Sequence, residues 1–360
     1  MEITIQAVAI QNKGISKTRN LSYVGSMLFA DIARLIDDER LYVPNQPELD
    51  DFAQRKPNTL RIKQIAKYIL ENYVQGNIFF PPICINCQPN PVFKDGKLFL
   101  PYYSVSLRLT DGQHRCYGIR EALKQIQQQD LIQYKILSEW EIGVLFYGSL
   151  SLKEERQAFR DQNLLVQRPN TSLSHYFDQR DPAVFIAKEL IKKIPQFNGN
   201  VEQVENGLGK HNPKLLTLST LVQTTKHMFP YLKSKQDLEA EIDWAVAYWK
   251  AVIDNLPIKS WDIQTKEERR QQRINSLVGT AVVFQALGML AYDLCKEEVC
   301  AEDLEKWLKK ISEINWSRDN NLWLEKGITQ IGANQLPIIS NTKTTIKACH
   351  RFLRELVGIL

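Results

Sequence analysis

Leu107-Arg108-Leu109-Thr110-Asp111-Gly112-Gln113-His114-Arg115-Cys116-Tyr117-Gly118-Ile119 joins an alternating apolar run to an Asp-Gly turn, a dense polar group and a helix-forming stretch. The alternation predicts a strand, and the residues from Cys116 to Gln128 recur at helical spacing. Gly112 sits where the chain must reverse between the two, or where a ligand must approach the backbone closely. A helix beginning here offers its first N–H groups to a phosphate. Arg115 can clamp phosphate oxygens with two parallel hydrogen bonds, and His114 can exchange a proton near neutral pH. Asp111 is suited to hold a cation or orient a water. The plain alternative is a turn in which Asp111 caps the helix and Arg115 makes a surface ion pair.

The first half of the chain mixes strand and helix patterns. Strands are expected at Glu2 to Gln11, Asn77 to Cys87, Leu98 to Leu109, Tyr134 to Leu137 and Glu141 to Tyr147. Asn58 is a suitable cap for a helix running to Tyr73, and Ser151 with Glu154 forms a capping box for a helix to Leu165. From Gln196 to Pro213 glycines and polar residues suggest a loop. Beyond it, Leu215 to Phe229, Leu238 to Asn255, Lys266 to Leu294, Ala301 to Ile314 and Thr344 to Ile359 read as helices. The fold class is α+β, with a mixed-sheet domain over 1–195 and an all-helical domain over 196–360.

Composition limits the functions. At 360 residues the chain is long enough for about two domains of ~150 residues. Its 44% hydrophobic and 24% charged content fits a folded globular protein and excludes a disordered tail or a collagen-like repeat. A net charge of +5, from 46 basic and 41 acidic residues, is too small for a DNA coat protein, so nucleic-acid binding must come from local clusters. Met1-Glu2-Ile3-Thr4-Ile5 carries no secretory pattern, and Leu277 to Tyr292 is too short and too polar to read as a membrane span. Six cysteines are too few for a disulfide scaffold, and a cytoplasmic protein with reduced thiols is expected. Cys84-Ile85-Asn86-Cys87 lacks the second ligand pair of a structural zinc site, so strand thiols are expected and no metal centre is assigned. Cys116, at a helix start beside His114 and Arg115, is read as a small buried residue, with a reactive thiol as the alternative.

Asp111-Gly112-Gln113-His114-Arg115 is the signature pentapeptide of DGQHR-domain proteins, and the whole chain resembles the DndB family, regulators encoded with the DNA phosphorothioation system. The domain is similar to the ParB and sulfiredoxin superfamily, which implies nucleotide binding at the strand–turn–helix. Sulfiredoxins carry a nucleophilic Cys where this chain has Gln113, and Gln113 cannot form a thiolate, so sulfinic-acid reduction is disfavoured. The resemblance to ParB extends to Glu155 through Arg168. There Asp161 and Asn163 match the magnesium-proximal pair, and Gln167 with Arg168 the later nucleotide contact, although the spacing differs. The implied cofactor is a nucleoside triphosphate, ATP first, with Mg²⁺. The implied site comprises Asp111, Gln113, His114 and Arg115 as chemical groups, with Gly112, Arg115, Asp161, Asn163, Gln167 and Arg168 around the nucleotide. No Walker A sequence is present.

Two basic clusters are candidates for DNA. Lys343, Lys347, Arg351 and Arg354 recur at helical spacing and form one stripe, and Arg269, Arg270 and Arg273 crowd one helical turn. Their plain reading is a solvated helix surface. Trp244, Trp249, Trp261, Trp307, Trp316 and Trp323 are spaced for helix packing rather than base stacking. Three functions remain open: a DNA-binding regulator acting on the promoter of its own gene cluster, an NTPase coupled to strand nicking, and a docking module for other phosphorothioation proteins. No membrane partner is expected, and a homo-oligomer is left open.

Overall fold

Ile3, Ile5 and Ala7 are buried while Glu2, Thr4 and Gln6 face solvent, and this period of two builds the first strand. The structure is a computed structural model and describes residues 2–13, 19–43, 57–164, 170–209, 212–234, 237–332 and 337–359. The chain divides into two compact units, Met1–Gln167 and Arg168–Leu360. The division expected near Pro195 thus falls earlier, because the helix Pro182–Lys193 packs on helices of the second unit.

The first unit contains β1 (Glu2–Lys13), β2 (Arg19–Leu28), α1 (Phe29–Asp37), β3 (Leu41–Tyr42), α2 (Thr59–Asn72), β4 (Ile83–Gln88), β5 (Val92–Lys94), β6 (Lys97–Pro101), β7 (Ser106–Asp111), α3 (Gln113–Gln129), α4 (Leu131–Ser138), β8 (Glu141–Gly148) and α5 (Leu152–Leu164). Its eight-stranded mixed sheet has the order β3-β7-β4-β8-β2-β1-β6-β5. Pairing is parallel at β3–β7 and β4–β8 and antiparallel elsewhere. β1 is shared: Glu2–Gln6 pair with β6, and Ala7–Lys13 pair with β2.

Strand alternation divides the central strands between two faces. Ile83, Ile85, Leu107, Leu109, Val144 and Phe146 join α1 to α4 in one apolar core. Asn86 and Arg108, on the opposite face, meet Glu155 of α5. The Glu155 carboxylate is buried, accepts a hydrogen bond from Asn86 and lies 2.8 Å from Arg108. Asn86 also donates to Leu150 O at 2.9 Å and accepts from Leu150 N at 2.8 Å, which fixes the entry to α5. Burial pushes the Glu155 carboxyl above its ordinary range, opposed by the Asn86 hydrogen bond and the Arg108 charge.

Several sequence expectations change. Tyr134 to Leu137 is helical within α4, because the Asp130 carboxylate accepts from the N–H groups of Ile132 and Gln133 and caps it. The expected strand Leu98 to Leu109 is two strands separated at 102–105, and Asn77 to Pro82 precede β4 rather than belong to it. α2 and α5 begin as expected: the Asn58 side chain accepts from Arg61 N, and Ser151 with Glu154 completes the capping box.

In the second unit the elements are α6 (Thr171–Phe177), α7 (Pro182–Lys193), β9 (Val201–Glu202), β10 (Leu216–Thr217), α8 (Leu218–Met228), α9 (Glu239–Asp254), α10 (Lys266–Asn275), α11 (Ala281–Lys296), α12 (Leu304–Leu308), α13 (Leu322–Glu325), β11 (Gln330–Ile331), β12 (Pro337–Ile338) and α14 (Lys343–Val357). Helices dominate, and the two short ladders β9–β10 and β11–β12 qualify the all-helical expectation. α11 packs against both α8 and α14, and Trp249, Trp261 and Trp323 are fully buried. The expected helix Lys266 to Leu294 is broken in two. Gly279 takes a φ of +88°, and Thr280 starts α11 by accepting from Val283 N. Ala301 to Ile314 forms α12 flanked by 3₁₀ turns.

Candidate functional site

Leu107 and Leu109 anchor β7 in the core, and the strand delivers Asp111 to its end. Gly112 follows with φ +92°, and α3 begins at the next residue. A side chain at Gly112 is excluded twice. The left-handed backbone disfavours any Cβ, and a Cβ built there would lie 2.6 Å from Ile83 Cγ2. The backbone ladder of α3 starts with Arg115 N and Cys116 N donating to Gly112 O, so the N–H groups of Gln113 and His114 precede it.

Arg115 folds back on the turn. Its Nη2 donates to Asp111 Oδ2 at 2.7 Å and to Pro82 O at 3.3 Å, and its side chain is mostly buried. Arg115 Nε is also buried, with no hydrogen-bond partner among the described residues. Asp111 remains half-exposed. His114 turns toward α2, where its Nε2 accepts from Asn58 N at 2.9 Å. That bond requires a neutral ring protonated at Nδ1. Burial, then the nearby Arg61 charge, holds His114 below the usual histidine range, against a smaller opposing pull from Asp111. The motif therefore ties the start of α3 to the start of α2. Gln113 is buried and Cys116 fully so. Burial pushes the Cys116 thiol up to about 12, the behaviour of a packed residue rather than a reactive one.

The second sequence element reaches the motif through a residue not singled out for it. Gln162 Nε2 donates to Tyr147 OH at 2.7 Å and to Cys84 Sγ at 3.4 Å, and Cys84 is the strand partner of Asp111. Burial and the Asp111 charge push the Cys84 thiol up to about 11. Asp161 lies one residue away and accepts from Gln157 Nε2 at 2.7 Å on the outer side of α5. Asn163 belongs to α5, but its side chain lies outside the described residues, as do Gln167 and Arg168 entirely. Glu155 and Gln162 are seven apart and share a face, and a buried glutamate at 155 is the signal that locates that face.

The basic clusters differ in their engagement. On α14, Lys343, Lys347 and Arg351 are exposed, whereas Arg354 is half-buried 3.4 Å from Asp293. His350 pairs with the same Asp293 at 2.6 Å. A cleft of about 610 Å³ beside the stripe is lined by Lys347, His350, Arg351 and Arg354. On α10 the arginines turn to neighbouring backbone and side chains. Arg269 donates to Asn200 Oδ1 and to Asp262 O, Arg270 pairs with Glu267, and Arg273 donates to the carbonyls of Gly209 and Asn212. Cys84 and Cys87 lie buried on β4. Among the described residues no group of three or more His, Cys, Asp or Glu side chains is placed to hold a metal ion. None of the described helices is long and apolar enough to cross a membrane.

Fold and site together define a two-unit α+β protein: a mixed-sheet unit carrying an Asp-Gly-Gln-His-Arg strand–turn–helix, and a helix-dominated unit carrying basic faces. The chain belongs to the DndB family of DNA-sulfur modification-associated proteins, whose family model matches residues 13–360. No curated protein and no solved structure matches the chain.

Proposed function

We infer that this protein is a DNA-binding regulator of a DNA phosphorothioation gene cluster, and that its Asp111–Arg115 turn binds a nucleoside triphosphate with Mg²⁺. The observation that carries the nucleotide reading is the convergence at one turn of the α3 N-terminus, the Arg115 guanidinium and the exposed Arg61 at the start of α2. Phosphate oxygens suit all three. Asp111 is the half-exposed carboxylate beside them, and Mg²⁺ commonly uses one or two carboxylates together with substrate phosphates and water. When bound, the ion would neutralise phosphate charge. His114 Nε2 is committed to Asn58 N, so the residue acts here as a positioning group, and this favours binding over rapid hydrolysis.

For DNA, the exposed Lys343, Lys347 and Arg351 of α14 supply the face that supports the reading. Other proteins of the modification system and a second copy of this chain are further candidate partners. A nucleotide regulates DNA binding only to the extent that it prefers one conformation over another.

Calorimetric titration with ATP, CTP and GTP, with and without a duplex from the cluster's promoter, tests both parts. Saturable nucleotide heat that disappears in Arg115→Ala is expected. Nucleotide heat unchanged by that substitution would move the site elsewhere. Failure to bind the duplex at low salt would remove the regulator reading and leave a docking role.

A further inference from the structure

In the second unit, Arg273 of α10 and Arg318 line a cleft of about 230 Å³ with no carboxylate among the described residues that line it. The other walls mix polar and small residues, Thr217, Thr280, Gly207 and Gly279 among them, with the apolar Leu208, Leu216 and Val278. Neither arginine makes an ion pair among the described residues. Arg273 Nη1 donates to the carbonyls of Gly209 and Asn212, and Arg318 Nη2 donates to Arg273 O at 3.3 Å. Arg318 Nε is buried without a hydrogen-bond partner among the described residues. Two neighbouring cations are thus held partly out of water with only neutral acceptors. Burial lowers both guanidinium pKa values from their ordinary range, and the charge of Arg318 lowers that of Arg273 further. Such an arrangement is electrostatically incomplete until an anion enters.

The local backbone supports the same polarity. Thr217 caps α8 by accepting from Thr220 N, and Thr280 caps α11 by accepting from Val283 N. Both caps and Ala281 border the cleft, so two helices of more than two turns each direct their positive ends at it. The break at Gly279 is what brings the start of α11 beside Arg273: a Cβ at 279 would already lie 4.0 Å from Arg273 Cγ.

We propose that this cleft is a binding site for a phosphate-type oxyanion, separate from the Asp111–Arg115 turn and independent of the nucleotide reading made for that turn. Its volume, worth about seven or eight water molecules at ~30 Å³ each, suits a phosphate group with bound water. The phosphate belongs either to a nucleic-acid backbone or to a small soluble metabolite.

Thermal unfolding of the full chain, followed by tryptophan fluorescence, tests the site, since every tryptophan except Trp140 lies in the second unit. Inorganic phosphate at about tenfold over its Kd, against chloride of equal ionic strength, should raise the transition by about 3–5 °C. Arg318→Gln should abolish the shift. Gly207→Asp provides a second variant: a Cβ there meets nothing within 4 Å, so a carboxylate is introduced without a clash. It should leave the protein folded and likewise abolish the shift. Arg115→Ala should retain it, which separates this proposal from the nucleotide site. If duplex DNA competes with phosphate, the source is a nucleic-acid backbone. If phosphate shifts the transition and duplex has no effect on it, the source is a soluble phosphate. No phosphate-specific shift in the wild-type protein, or an equal shift in both cleft variants, would overturn the proposal.

Discussion

Replacing Gly112 by alanine should destabilise the first unit through two separable terms. The φ of +92° places any L-residue in the left-handed region, at about 1–2 kcal/mol. The new methyl would lie 2.6 Å from Ile83 Cγ2 and 2.9 Å from Ile83 Cβ, and Ile83 is fully buried at the start of β4. Overpacking of this kind costs about 1–3 kcal/mol. The third contact, Arg115 Nη2 at 3.0 Å, is the end of a flexible side chain and adds little. The total is about 2–5 kcal/mol, a large fraction of the stability of a typical domain. Because the chain has two units, a single unfolding curve is a poor measure. Native-state hydrogen exchange read by mass spectrometry on peptides from β7 and α3 reports the first unit alone. Ile83→Ala removes Cγ2, the closer of the two clashing atoms, and leaves a small Cβ that can shift into the space vacated, at its own cavity cost of about 2–5 kcal/mol. The double variant should therefore lose at least about 1 kcal/mol less than the sum of the two singles. Strict additivity, or a Gly112→Ala effect below about 0.5 kcal/mol, would refute this account of the turn.

His114 is the sole histidine of Met1–Gln167, so the junction of α2 and α3, where it accepts from Asn58 N, should respond to pH between 7 and 5 mainly through it. Its pKa is lowered in the folded state, so its contribution is complete above the ordinary histidine value of 6.5 and is lost as pH falls through the folded value. Exchange of the Asn58 amide should accelerate over that interval beyond the intrinsic trend, and His114→Gln should flatten the response; an unchanged profile would disconnect the residue from α2. For DNA, Lys347→Ala and Arg351→Ala should each reduce the slope of log K against log salt by about 1, with little loss of stability. Arg269→Ala should instead lower the unfolding temperature, because its guanidinium joins Asn200 to the Asp262 carbonyl. Electrophoretic titrations across salt, with melting curves, distinguish the two; an unaltered slope in the α14 variants would place the DNA face elsewhere. A thiol reagent on the native protein should label Cys300 first, while Cys87, Cys116 and Cys349 should react only on unfolding. Rapid native labelling of Cys116 would contradict its burial.

Features carried by local chemistry were legible in the sequence. Asn58, Ser151 with Glu154, and the alternation of Ile3 and Ile5 each act within one element and each form what they suggest. The turn at Gly112 was legible because Asp-Gly followed an alternating strand. α4 was missed because its cap, Asp130, lies four residues before the apolar run that suggested a strand. The break in Lys266 to Leu294 was hidden by continuous helical periodicity on both sides of Gly279. The surroundings of the motif were less legible for a different reason. Tyr147 and Gln162 meet Cys84, the strand partner of Asp111, only through the pairing of β4 with β7 and β8, which no local pattern encodes. Asp161 and Gln162 differ by about 100° around the helix, and only the burial of Glu155 reveals which side faces the sheet.

The strand order also bears on how the first unit is synthesised. β8 is the last strand made, yet it lies between β4 and β2 near the middle of the sheet. Until Gly148 has left the ribosome, the nascent chain holds β7–β4 and β2–β1–β6 as separate pieces, each with an open edge. β7 ends at Asp111 and β8 at Gly148, 37 residues later, so at about 5–20 residues per second the two pieces coexist for about 2–7 s, during which unpaired strand edges are available to other chains. Translation speed and chaperone access between the codons of Asp111 and Gly148 should therefore govern the soluble yield of this protein more than any codon of the helical unit.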